Sequence, residues 1–172
     1  MNNELTLYIP QLTIQSRVED LSGRIGVDYT DVLIMPIMKA ALIFTTDIIR
    51  YLPYHLLQNA VIEPIGVKSY EGKEPSGPAR FTAAPSSFCK DKNVLIVDTI
   101  LDTGATIQTL KTHLKDLGPK TVKTCVLLDK ECRRSYPITA DYCGFTVPNK
   151  FLVGYGLDYK EQFRCLPDLY YI

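Results

Sequence analysis

The residues of this chain whose types and spacing could do chemistry are Asp98 and the small polar turn Asp102-Thr103-Gly104-Ala105-Thr106. The apolar run Val94-Leu95-Ile96-Val97 reads as a buried parallel strand ending at Asp98. Thr99, Ile100 and Leu101 lead into the turn, after which Ile107, Leu110 and Leu114 recur at helical spacing. A strand feeding such a turn at a helix start points backbone N–H groups and hydroxyls into one concavity, where the helix dipole favours an anion. Two carboxylates beside a phosphate cradle suit a ligand carrying phosphate together with hydroxyls or a metal, which points to a sugar phosphate. The alternative is an ordinary turn of a Rossmann-like sheet that holds Asp, Thr and Gly with no ligand. The turn has neither the Gly-Lys-Ser/Thr ending of a Walker A loop nor the several glycines of a dinucleotide fingerprint.

Three further places carry candidate chemistry. Lys39, in Met38-Lys39-Ala40-Ala41 at a strand-to-helix junction, is either a solvated lysine or a contact for a polyanion. The helix dipole disfavours a lysine there, which tips the reading toward an anion partner. Lys130 follows Leu127-Leu128-Asp129 at a strand C-terminus, the edge where α/β sheets place their ligands. Its donor-only ammonium could serve a carbonyl oxygen or pair with Asp129. Downstream, Lys150 to Tyr159 mixes aromatics, small residues and an acid. Phe151 taken alone reads as a core residue, and Asp158 with Arg164 could equally form a surface salt bridge.

The elements that must position these residues follow from periodicity. Leu12, Ile14, Val18, Leu21 and Ile25 predict a first helix ending near Gly26, and Asp31 to Ile34 a short strand. A second helix is expected from about Met38, with Leu42, Ile43, Ile48, Ile49 and Leu52 on it and Pro53 stopping it. Val61 to Val67 reads as one strand, followed by a polar Gly/Pro/Ser-rich stretch, 69–92, expected to be a long functional loop. The Val94 strand, a helix from Gly104 to Leu117 and a strand from Val122 to Leu128 come next. The tail from Phe145 to Ile172 has short apolar stretches broken by Pro148, Gly154, Gly156 and Pro167. Alternating strands and helices predict an α/β fold with a mostly parallel central sheet flanked by helices, in one domain over 1–172.

Composition narrows the class. With 172 residues, 46% of them hydrophobic, the chain can bury a substantial core. A net charge of zero gives no electrostatic case for nucleic acid. No apolar run approaches the roughly 20 residues of a membrane helix, and the first residues lack the pattern of a signal peptide. The 5 cysteines show no CxxC spacing and there are only 2 histidines, so a zinc site is not expected. Reduced thiols in a cytoplasmic protein are the expectation.

The strand, acids and Asp-Thr-Gly-x-Thr turn resemble the PRPP loop of type I phosphoribosyltransferases. The run from Asp129-Lys130 through Phe151 and Asp158 to Arg164 resembles the C-terminal half of the hypoxanthine-guanine phosphoribosyltransferases in sequence and spacing. Met38-Lys39-Ala40 resembles that family's pyrophosphate loop and Lys68-Ser69-Tyr70 its mobile catalytic loop. The resemblance implies a small hood formed by the N- and C-terminal segments, with 145–172 binding the purine, and a lid over 69–92 that includes Ser69 and Tyr70. It implies that Thr103, Gly104, Ala105 and Thr106, with the backbone of Asp102, hold a 5′-phosphate. Asp98 would bind ribose hydroxyls and share a Mg²⁺ ion with Asp158, while Lys39, the peptide before Ala40 and Arg164 would hold pyrophosphate. Lys130 would donate to O6 of a 6-oxopurine, Phe151 would stack on its ring, the Leu152 backbone and Asp158 region would read its edge, and Asp102 would be the general base. The family usually has a second acid where this chain has Thr99, so the ribose site is expected to lose a charge-assisted bond worth roughly 1 kcal/mol or more. Xanthine preference, or a nucleotide sensor with weak turnover, are the alternatives the resemblance leaves. It also implies a homodimer or homotetramer.

Overall fold

The computed structural model describes residues 4–68 and 80–172. Strand β1 (Thr6–Ile9) precedes helix α1 (Gln11–Asp28), and β2 (Val32–Met38) then runs into α2 (Ala41–Tyr51) and the single turn α3 (Tyr54–Leu57). Strands β3 (Ala60–Ile62), β4 (Ile65–Lys68) and β5 (Arg80–Ala83) follow, then β6 (Asn93–Leu101), α4 (Ala105–Leu117) and β7 (Thr121–Asp129). The chain ends with β8 (Tyr142–Thr146), β9 (Leu152–Val153) and β10 (Leu169–Tyr171).

The main sheet has the order β5-β4-β2-β6-β7-β8, with β3 also paired to β2. All its pairings are parallel except β4 with β5. Strand period two divides the core between the two faces. Leu95 and Val97 of β6 join Ile14, Val18, Phe44 and Ile48 of α1 and α2, whereas Val94 and Ile96 join Ile107, Leu110 and Leu114 of α4. A second, three-stranded antiparallel sheet, β1-β10-β9, is built from the two ends of the chain. The α/β class with a mostly parallel sheet and a small terminal sheet is therefore the architecture. No described helix is long and apolar enough to cross a membrane.

Several boundaries differ from the sequence reading, each for a physical reason. Helix α1 passes through Gly26 to Asp28. Gly26 does not stop the helix; a Cβ there would run into the ring of Pro53, so glycine permits a close approach between α1 and the end of α2. Strand β2 extends to Met38, and α2 accordingly starts at Ala41 instead of Met38. The expected single strand Val61–Val67 is two strands broken at Glu63-Pro64. β3 pairs the first half of β2 and β4 the second, and Pro36, which has no N–H to give, falls at the changeover. The expected loop 69–92 contains β5 and a 3₁₀ turn at Ser87–Cys89. Ser69 and Tyr70 lie outside the described residues.

Ile96 is fully buried in the central strand, whereas Val27 is 87% exposed on α1. Truncating Ile96 removes apolar contacts and leaves a cavity, so Ile96→Ala should lower the unfolding free energy by about 3 kcal/mol. Val27→Ala should change it by less than about 0.5 kcal/mol. Urea denaturation of both variants checks the contrast.

Candidate active site

Parallel pairing brings the ends of β2, β6 and β7 to one edge of the sheet. Within β6, three residues before its end at Leu101, Asp98 is 9% exposed and its Oδ1 accepts the Thr99 N–H at 2.8 Å. Burial pushes the Asp98 carboxyl up to about 7, against backbone N–H groups of Thr99 and Ile100 that favour the charged form. Thr99 is wholly buried, and its hydroxyl donates to the Ala40 carbonyl at 2.9 Å.

The turn 102–104 then leads into α4. Gly104 has a left-handed backbone and caps the helix, while Thr103 Oγ1 accepts the Ala105 N–H at 3.3 Å. Ala105 and Thr106 form the first turn of α4, so the expected phosphate-binding residues do stand at a helix start. Two arginines that the sequence reading passed over brace this turn. Arg133 Nε stands 3.3 Å from Asp102 Oδ1. The Arg134 guanidinium donates to both the Asp102 carbonyl and the Asp129 carboxylate, tying the β6 turn to the end of β7. Asp129 therefore pairs with Arg134 and not with its neighbour Lys130.

Lys130 is 5% exposed, and its Nζ donates to the Lys150 carbonyl at 2.9 Å. An ammonium has three protons, so this contact aims the group at the 150–152 segment without exhausting it. Phe151 is not a core residue: it is 52% exposed, with the Tyr159 ring set edge-on at 5.8 Å. Leu152 is buried in β9, where it pairs with Tyr171.

The segment after β9 folds back over the Lys39 corner. Arg164 donates to the Gly156 carbonyl at 2.8 Å and pairs with Asp158 at 2.7 Å. The other Asp158 oxygen accepts the Glu161 N–H at 2.9 Å. Asp158 and Arg164 thus do form a salt bridge, but one that shapes a loop at this edge. Glu161, also missed in the sequence, reaches Lys39 Nζ at 2.9 Å and Arg164 at 3.4 Å. The Lys39 ammonium holds its carboxyl below the usual range. The Met38–Lys39 peptide is cis. Tyr155 anchors the same segment to α2 through a 2.6 Å bond to Asp47. Gly156 adopts a positive φ of 95°, and a Cβ there would strike the Ala40 carbonyl. No side chain fits where these two loops meet.

The family model of the phosphoribosyl transferase domain matches residues 11–160. The hypoxanthine-guanine phosphoribosyltransferase of Aquifex aeolicus is 37% identical to this chain, over 98% of it and 95% of the relative. The hypoxanthine-guanine-xanthine phosphoribosyltransferase of Tritrichomonas foetus is 31% identical, over 95% of this chain and 88% of its own. A solved hypoxanthine phosphoribosyltransferase structure from Staphylococcus aureus matches with a TM-score of 0.91 at 31% identity, covering 100% of this chain and 94% of that one. With likeness of this extent in sequence and in fold, the chain belongs to the phosphoribosyl transferase family and, within it, to the hypoxanthine-guanine phosphoribosyltransferases.

Proposed function

We propose that this protein transfers the 5-phosphoribosyl group of PRPP to N9 of a 6-oxopurine, hypoxanthine or guanine, releasing pyrophosphate and forming IMP or GMP. The observation that carries the reading is the juxtaposition at one sheet edge of the Asp102–Thr106 turn, at the start of α4, with the buried Lys130 ammonium aimed at the exposed Phe151 segment. The first supplies an anion cradle, and the second supplies a donor beside an aromatic face.

In this reading the backbone of the turn and the hydroxyls of Thr103 and Thr106 hold the 5′-phosphate, and Asp98 takes the ribose hydroxyls. A free proton of Lys130 goes to the purine O6, Phe151 stacks on the ring, and the Leu152 backbone reads its edge. Asp102 accepts the N7 proton as the new N9–C1′ bond forms and the C1′–pyrophosphate bond breaks. Lys39 and Arg164 bind the leaving group electrostatically, which is usually the largest contribution in such chemistry. Glu161 already engages both cations, so it must yield to pyrophosphate.

The donor set would suit a Mg²⁺ ion accompanying the diphosphate group of PRPP. Asp98 and Asp158 offer carboxylates at this edge, and Mg²⁺ is commonly held by one or two carboxylates with substrate phosphates and water. Among the described residues no group of three metal-binding side chains forms a cage made of protein alone. When bound, the ion neutralises charge on the departing pyrophosphate. The unpaired thiols support a reducing, cytoplasmic setting. Leu42, Tyr54, Leu57, Val61 and Ile62 are apolar residues left exposed, which supports self-association as a dimer or tetramer.

Purified protein with PRPP and Mg²⁺ should form nucleotide from hypoxanthine or guanine and not from adenine. Asp102→Asn should lower kcat by about 10²–10⁴-fold with little change in KM for the base. Absence of product from every 6-oxopurine would reject the assignment. A second prediction concerns Asp98. Its folded pKa lies above the unfolded 3.8, so the folded state binds the extra proton and stability falls as pH rises from about 4 to about 7. Asp98→Asn should therefore melt higher than the parent protein at pH 8, and this advantage should vanish near pH 4. The same variant should raise the KM for PRPP at least about tenfold. Thermal melts across pH, read beside the kinetics, test both halves.

A further inference from the structure

Thr99 is a polar residue with no exposed surface, in the middle of the region assigned above to PRPP. Its backbone N–H goes to Asp98 Oδ1 at 2.8 Å and its hydroxyl proton to the Ala40 carbonyl at 2.9 Å. Ala40 follows Lys39 and immediately precedes α2. The same carbonyl forms the surface on which Gly156 packs, and a Cβ on Gly156 would also come within 3.5 Å of Thr99 Oγ1. Gly156 in turn gives its carbonyl to Arg164 at 2.8 Å. One hydroxyl thus stands where the Lys39 loop, the end of β6 and the Gly156–Arg164 segment meet.

We propose that Thr99 is a positioning residue, not a weakened ribose ligand: it fixes the Lys39-Ala40 loop against Asp98 and so sets the spacing between the ribose and pyrophosphate sites. This inference rests on the functional reading given above. It replaces the expectation that an acid at this position would restore a lost ribose contact. A carboxylate here would face the Ala40 carbonyl with no proton to give, directly after another buried acid. Buried polar groups left in that state are strongly unfavourable.

Steady-state kinetics of Thr99→Val, Thr99→Ser and Thr99→Asp test the proposal, with folding checked by circular dichroism. Thr99→Val keeps the shape and loses the donor. It should raise the KM for PRPP about tenfold while the KM for the purine stays within about twofold, a split that general destabilisation does not produce. Thr99→Ser, which retains the hydroxyl, should return PRPP affinity to within about twofold of the parent. Thr99→Asp should weaken PRPP binding. A lowered KM for PRPP in Thr99→Asp, unchanged PRPP kinetics in Thr99→Val, or a tenfold loss in Thr99→Ser would each overturn the proposal. If Thr99→Val does not fold, the Ser and Asp variants decide. Failure of the parent protein to turn over any 6-oxopurine would count against the functional reading instead. In that case calorimetric binding of pyrophosphate to the same variants reads the Lys39 loop directly, and an unchanged affinity in all of them overturns the positioning role.

Discussion

Parallel pairing of β2, β6 and β7 sends three neighbouring strands out of the sheet at the same edge, and every candidate site residue depends on that constraint. An antiparallel neighbour would carry its loop to the opposite edge. Here the registers Pro36 with Val97 and Leu101 with Asp129 put the ends of these strands side by side. The core enforces the arrangement. β6 is apolar on both faces because helices cover both, and a one-residue slip would exchange the residues packed on α1 and α2 for those packed on α4.

The second layer of the site comes from the end of the chain. The β1-β10-β9 sheet ties the two termini together and leaves Phe151 and Leu152 beside the buried Lys130. Polar contacts then lock the 154–164 segment down: Tyr155 to Asp47 on α2, Arg164 to Gly156 and Asp158, and Lys39 to Glu161. Lys39 and Glu161 are both largely exposed, so their ion pair contributes little to stability. Its exposure also leaves it open to exchange for a ligand anion. The buried contacts of Arg134 and Thr99 differ, because each satisfies groups that water reaches poorly.

Local chemistry was the part readable in advance. The Val94–Val97 run, the 102–106 turn and the period of α4 are consecutive residues whose pattern states their structure; α4 begins one residue after the expected start, while β6 runs past Asp98 to Leu101 because its pairing with β7 continues there. Gly26 misled because a glycine that permits close packing has the same local signature as one that ends a helix. The break at Glu63-Pro64 was hidden within an apolar run, and the antiparallel β5 is set by pairing with β4, which local pattern does not encode. The residues missed at this edge, Arg134 and Glu161, act through partners 32 and 122 residues away, and the Thr99 hydroxyl meets a carbonyl 59 residues away. Contacts between residues so far apart in the chain leave no mark on the local pattern.

In the proposed function one edge of the sheet, and not the other, forms a nucleotide site from β6, β7 and the 150–158 segment. Hydrogen–deuterium exchange of the purified protein with and without GMP tests it directly. Slowed exchange is expected in 98–106, 129–134 and 150–158, with no change at the opposite edge, around Asp28–Asp31 and Lys120–Thr121. Protection confined to that opposite edge, or none at saturating GMP, would contradict it.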